Sequence, residues 1–166
     1  NQMLALARAD SVELEPEAVD AGALAEAVTR QWWSQAREQG IDLGFEPPAE
    51  KLQVSAQAGL LNEALGNLLH NAIRYTPRGG QVTVRVARSG DAVEIVVIDD
   101  GPGMPPPDRA RAGERFFRGS NVTLPGSGLG LAIVRSIAQR HGGELRIDGG
   151  PNDRGLSVSM RLPLLT

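Results

Sequence analysis

Three short runs of residues carry groups that could hold a nucleoside triphosphate. Asp99-Asp100-Gly101-Pro102-Gly103 ends an apolar run, Gly126-Ser127-Gly128-Leu129-Gly130-Leu131 opens a helical one, and Asn67-Leu68-Leu69-His70-Asn71-Ala72 lies upstream of both. A carboxylate at a strand end accepts a hydrogen bond from the exocyclic amine of adenine, where guanine offers a carbonyl, so Asp99 can choose the base. Glycines that open a helix leave backbone N–H groups and the positive end of the helix dipole for phosphate oxygens. Asn67 and Asn71 are four positions apart and share a helix face. Amide oxygens are hard, neutral ligands suited to a magnesium ion already bridged to phosphates, and Asn71 is the better candidate. Arg74 and Tyr75 follow at the helix end, where a guanidinium can reach phosphate and a ring can pack beside the nucleotide.

Each run also has a plainer meaning. Two Asn residues within a helix can simply face solvent, Arg74 alone reads as surface and Tyr75 alone as core. An Asp-Gly-Pro-Gly segment is an ordinary turn after a strand. The second glycine cluster can be a flexible loop, since it lacks the Gly-Lys-Ser/Thr of a Walker A motif and the acidic strand end of a dinucleotide fingerprint. The order of all three is more specific than any one of them.

The elements that must position these residues follow from periodicity. Leu4, Ala5 and Ala7 suggest the end of a helix over residues 1–8, and Leu24, Ala25, Val28, Trp32 and Ala36 predict an amphipathic helix over 22–39, stopped by Gly40. Short strands are expected at 41–45 and 52–54, paired with each other. Ser55 then caps a helix carrying Leu60, Leu61, Leu65, Leu68, Leu69 and Ala72 on one face, broken by residues 76–80. Strands around 82–86 and 93–98 form a hairpin about Ser89-Gly90-Asp91. The stretch 104–125, with four prolines and no period, reads as a long functional or disordered loop. A helix over 129–139 and strands at 144–148 and 156–162 complete the chain. Roughly three helices and about six strands in mixed order favour a two-layer α/β sandwich.

Composition bounds the function. With 166 residues, 41% apolar and 22% charged, the chain fits one domain. A net charge of -3 without a basic run disfavours nucleic acid as a partner. The absence of cysteine excludes disulfides and thiolate metal sites. No apolar run approaches the ~20 residues a membrane helix needs. No signal peptide is visible and residue 1 is Asn, so the sequence is expected to be a piece of a longer chain.

Asn67 to Ala72 with Arg74-Tyr75-Thr76-Pro77, Asp99-x-Gly101-x-Gly103, Arg115-Phe116-Phe117-Arg118 and Gly126-Ser127-Gly128-Leu129-Gly130-Leu131 resemble the catalytic and ATP-binding domain of bacterial sensor histidine kinases. That domain belongs to the wider class of gyrase, heat-shock chaperone, histidine kinase and mismatch-repair ATPases, and the likeness runs over about residues 24–163. It implies a Bergerat-type α/β sandwich with a flexible lid over about 104–125. It also implies that Asn71 coordinates magnesium, Asn67 helps hold phosphate or metal, Asp99 binds adenine, and Gly101 and Gly103 line the base pocket. The run Gly126, Ser127, Gly128, Leu129 and Gly130 would wrap the phosphates, with Arg74 and Arg118 as phosphate contacts, Tyr75 beside adenine and Phe116-Phe117 anchoring the lid. Two positions depart from the family pattern: Asp100 stands where Asn is usual, and Gly113 where an aromatic precedes the Phe pair.

Hydrolytic members of the class carry a glutamate one turn before the magnesium-binding Asn, to activate water. Here that position is Asn67, and an amide cannot take the proton. Glu63 lies about 80° around the helix from Asn71 and is expected to face solvent. Neither His70 nor His141 has the sequence context of a phosphoacceptor; His141 is expected to complement a helix dipole and His70 to pack or face solvent. The expected function is therefore to bind Mg-ATP and donate its γ-phosphate to a histidine on a separate dimerisation domain, whose last helix would end within residues 1–11, leaving 12–166 as the catalytic domain. The resemblance implies a response regulator as partner and a full-length homodimer in the bacterial inner membrane with this domain in the cytoplasm. A nucleotide-sensing or anti-sigma-type module and an ATP-hydrolysing clamp are the alternatives.

Overall fold

The computed structural model describes residues 2–11, 13–111, 114, 130–150 and 154–166. In chain order the elements are α1 (Gln2–Ser11), β1 (Glu17–Asp20), α2 (Ala21–Glu38), β2 (Asp42–Glu46), β3 (Gln53–Ala56), α3 (Ala58–Tyr75), β4 (Gln81–Ser89), β5 (Ala92–Asp99), α4 (Pro106–Arg109), α5 (Gly130–Arg140), β6 (Glu144–Gly149) and β7 (Leu156–Pro163). Five strands form one sheet in the order β2-β4-β5-β7-β6, with β2 parallel to β4 and the other neighbours antiparallel. Helices α2, α3 and α5 pack against this sheet, which makes the predicted two-layer α/β sandwich.

The core lies between these layers. Leu61, Leu65, Leu69 and Ile73 of α3 meet Val82, Val84 and Val86 of β4, Val93, Ile95 and Val97 of β5, and Ile133 and Ile137 of α5 in one buried cluster. Both periods are as expected, 3.6 on the helices and 2 on the strands. Asp20 caps α2 by accepting from the Ala23 N–H at 3.0 Å. The β4–β5 hairpin closes through Gly90-Asp91, with Gly90 at the positive φ of 61° that two-residue loops require.

The structure corrects four expectations. Strands β2 and β3 do not pair with each other: β2 extends the large sheet beside β4, and β3 forms a separate antiparallel pair with β1, which alternation does not reveal. Pro47-Pro48, which cannot donate ladder bonds, ends β2 and begins the connection to β3. The Pro48 ring packs over the first turn of α2, 3.0 Å from where a Cβ on Gly22 would sit. Ser55 lies inside β3 and does not cap α3; Gln57 holds that place without a side-chain cap. His141 does more than complement a dipole. Its Nδ1 lies 2.7 Å from the Ile137 carbonyl and its Nε2 accepts from the Gln57 N–H at 3.2 Å, so the end of α5 is tied to the start of α3. Finally, α4 gives the start of the predicted loop a short helix, making five helices and seven strands among the described residues.

Helix α1 lies along α5, burying Ala5, Leu6 and Ala9. The Arg140 guanidinium donates to the Ala9 carbonyl at 2.7 Å, and Ser136 donates to the Asp10 carboxylate. No described helix is long and apolar enough to cross a membrane. Truncation of Leu65, fully buried in α3, is expected to cost about 2–5 kcal/mol, read as a lower denaturation midpoint of Leu65→Ala without nucleotide.

Candidate functional site

The candidate site lies where the ends of β5 and α3 meet the start of α5. Gly130 opens α5 against α3: a Cβ there would lie 3.4 Å from both terminal atoms of the Asn71 amide and 3.6 Å from Asn67 Oδ1. Residues 59–63 positions apart in sequence thus converge on one point. Asn67 turns its Nδ2 back to donate to the Glu63 carbonyl at 2.9 Å, which orients the side chain and leaves Oδ1 beside Gly130. Two neutral amides against the first residue of a helix suit a charge-neutralised metal–phosphate pair, in which magnesium takes few protein ligands.

Glu63 does not face solvent as expected. Its carboxylate pairs with Arg8 of α1 at 3.2 Å, and its side chain is only 23% exposed. His70, beside Asn71, is an exposed residue whose ring leans on Trp32 at a centroid distance of 5.9 Å. Partial burial, and then the Arg74 charge, hold its pKa below the ordinary imidazole value. Arg74 lies 5.8 Å from the centre of the Tyr75 ring.

Asp99 ends β5. Ile95 and Val97 on the same strand are buried, so alternation turns Asp99 toward the helix side of the sheet. Burial pushes its carboxyl up to about 6, against the opposing hydrogen bonds from the backbone N–H groups of Gly101 and Leu156, with the neighbouring Asp100 charge adding to the rise. The Gly101 N–H donates to Asp99 Oδ1 at 3.0 Å. Asp100 is directed elsewhere, accepting from the Gln81 N–H at 2.8 Å at the start of β4.

Glycine is required around this carboxylate by close approach of backbone to backbone. A Cβ on Gly101 would come within 3.1 Å of the Tyr75 carbonyl, which sets the Asp-x-Gly turn on the end of α3. Gly103, at φ 75°, would bring a Cβ within 2.6 Å of the Gly155 carbonyl, and Gly155, at φ 73°, would drive one into the Asp99 carbonyl. In the sequence Gly155 reads only as part of a turn; a glycine immediately before a new alternating strand is the available signal. Thr76, which the sequence marks only as a helix end, has a buried Oγ1 with no hydrogen-bond partner among the described residues, and its Cα faces Gly101. Arg118, Gly126, Ser127, Gly128 and Leu129, with Gly113 and Arg115-Phe116-Phe117, lie outside the described residues.

This fold and this grouping of Asn, Asp and Gly residues define a nucleotide-binding domain of the Bergerat type. Residues 56–166 match the family described as histidine kinase-, DNA gyrase B- and HSP90-like ATPases, and the chain belongs to that family. It is 42% identical over 163 residues to the signal transduction histidine-protein kinase/phosphatase MprB of Mycolicibacterium smegmatis, a match covering 95% of this chain and 32% of that protein. The chain thus spans about a third of the length of that relative. Among solved structures, full-length ShkA in complex with AMPPNP superposes with a TM-score of 0.85 at 30% identity, over 100% of this chain and 35% of that one. Histidine kinase ThkA in complex with the response regulator protein TrrA gives 0.77 at 26% identity, over 92% of this chain and 42% of that one.

The raised carboxyl of Asp99 makes two opposite pH dependences. Only the ionised form accepts from an exocyclic amine without competing as a donor, so adenine-nucleotide affinity should fall as pH drops through about 6. The folded value lies above that of the unfolded chain, so the native state takes up the proton first and stability without nucleotide should rise as pH falls from above 6 toward 4. Asp99→Asn should lose nucleotide binding and flatten both profiles while leaving the melting temperature at pH 7 equal or higher; calorimetric titration and thermal melts between pH 5 and 8 check this. Gly155→Ala should destabilise the domain by at least about 1–3 kcal/mol, the cost of its strained φ before the clash with the Asp99 carbonyl is added, read by denaturant titration.

Proposed function

We propose that this domain binds Mg-ATP and presents the γ-phosphate to a histidine supplied by a separate dimerisation domain. One observation carries the reading: Asn67 and Asn71 face the first residue of α5 together, with an amide where a hydrolytic site needs a carboxylate. The nearest glutamate on the helix, Glu63, is engaged by Arg8. The donor set fits magnesium and phosphate, because amide oxygens on one side and helix N–H groups on the other match a cation bridged to anions. Magnesium, when bound, screens the phosphate charges.

The chain's own residues then act in different ways. Asp99 accepts from the base, Asn71 and Asn67 fix the metal–phosphate end, and in this reading Arg74 of the same helix meets a phosphate oxygen. Arg118 and the run Gly126, Ser127, Gly128 and Leu129 complete the phosphate contacts in this reading. Phosphoryl transfer asks mainly for alignment and charge stabilisation, and an incoming neutral imidazole needs no protein base to make it a nucleophile. That division of labour favours transfer over hydrolysis.

Several features support the wider reading. MprB and ThkA are named as histidine kinases, ThkA is crystallised with a response regulator, and ShkA is crystallised with AMPPNP, an ATP analogue. We infer that α1 is the end of the dimerisation domain's last helix, that the whole protein is a homodimer with a response regulator as its partner, and that it is held at the inner membrane with this domain in the cytoplasm.

Mixing the domain with its isolated dimerisation domain and labelled ATP should transfer label to histidine, and Asn71→Ala should reduce that transfer by about 10²-fold or more. Free phosphate released faster than histidine is labelled, with ATP bound, would return the site to the hydrolytic class.

A further inference from the structure

The nucleobase end of the site has a second side chain that no motif singles out. Asp99 of β5 pairs with Leu156 of β7, and Leu156 pairs with Gly149 of β6, so the three form one row across three strands. Ile95 and Val97, Val158 and Met160, and Leu145 and Ile147 pack into the core from these strands. By the two-residue alternation, all three members of the row face the helix side of the sheet. Asp99 stands at one end of the row and Leu156 fills its middle. The far end has no side chain of its own, because it is Gly149.

Arg109 occupies that end. Its guanidinium lies where a Cβ of residue 149 would point, with Nη2 at 3.1 Å and both Cζ and Nη1 at 3.5 Å from that position. Its Nε donates to the Met104 carbonyl at 2.8 Å, one residue beyond the Asp99-x-Gly101-x-Gly103 turn. The Met104 carbonyl engages Nε, and Nη1 and Nη2 lie beside the Gly149 end of the row. Two interstrand spacings separate the backbones at the two ends, about 10 Å, a length comparable to that of a purine nucleoside lying over Leu156.

We propose that Arg109 is a second specificity-determining residue of the nucleobase pocket, donating from its terminal nitrogens to an acceptor of the nucleoside, the purine N3 or the ribose 2′-hydroxyl oxygen, at the end opposite the exocyclic amine that Asp99 would bind. The inference rests on the ATP-binding reading and adds to it what reads the other side of the nucleoside. A Cβ at residue 149 would crowd Nη2 at 3.1 Å, so a bulky side chain there would displace the guanidinium.

Calorimetric titration with non-hydrolysable analogues of ATP, 2′-deoxyATP and 3-deaza-ATP tests this on wild-type, Arg109→Ala, Arg109→Lys and Gly149→Ala proteins, each first shown by circular dichroism to be folded. Loss of a charged hydrogen bond predicts about tenfold weaker ATP binding in Arg109→Ala. The truncation should cost nothing with whichever analogue lacks the acceptor, a selectivity that a purely structural role would not produce. Arg109→Lys keeps the charge without the planar fork and should not restore affinity, and Gly149→Ala, which crowds Nη2 with Arg109 intact, should weaken binding less than Arg109→Ala does. Equal weakening for all three nucleotides, full rescue by Lys, or wild-type affinity in Arg109→Ala overturns the proposal while leaving the ATP site standing. A wild-type protein that binds no adenine nucleotide overturns both.

Discussion

The site depends on the register of β5 within the sheet. A slip by one residue against β7 would turn Asp99 from the helix side to the open face and dismantle the row it forms with Leu156 and Gly149. Hydrophobic alternation alone does not hold that register firmly, because Val96 on the outward side is nearly as buried as Val97 on the inward side. Two backbone devices supply the rest. The Gly90-Asp91 loop sets β4 against β5 at one end, and at the other Gly155 lies so close to the Asp99 carbonyl that only a residue without a side chain fits.

Register places the carboxylate, and burial then makes it costly. A rise from the ordinary value of 3.8 to about 6 corresponds to about 3 kcal/mol of disfavoured ionisation. Backbone N–H groups from Gly101 and Leu156 offset only part of this. The domain keeps a desolvated carboxylate at the expense of its own stability, and in the proposed function a hydrogen bond to a base discriminates best there because water does not compete. Asp100 escapes the same cost by turning to the start of β4.

The pairing of α3 with α5 serves two ends of the molecule. At one end Asn67 and Asn71 meet Gly130, and farther along the same two helices hold α1 through Glu63 and Arg8, Ser136 and Asp10, and Arg140 and the Ala9 carbonyl. His141 joins the remaining corner to Gln57 at the start of α3. The helices that bring the two Asn residues to Gly130 are therefore also those that seat α1.

Much of this is legible in the sequence. The periods of α2, α3, β4 and β5 predict their type and inward faces, because side-chain burial along one element repeats at a spacing that the chain itself displays. The Asn pair, Asp99 and the glycines are recognisable by chemistry and order, and the exchange of a glutamate for Asn67 already points from hydrolysis to transfer. Contacts between distant segments are not legible. The partners of the short strands β2 and β3, the ion pair that occupies Glu63, the buried Thr76, the crossing of Gly103 with Gly155 and the place of Arg109 over Gly149 all depend on how separate elements pack. A single sequence records which groups are available and how they repeat locally; which of them meet is decided by the packing of helices on a sheet whose register no local pattern specifies.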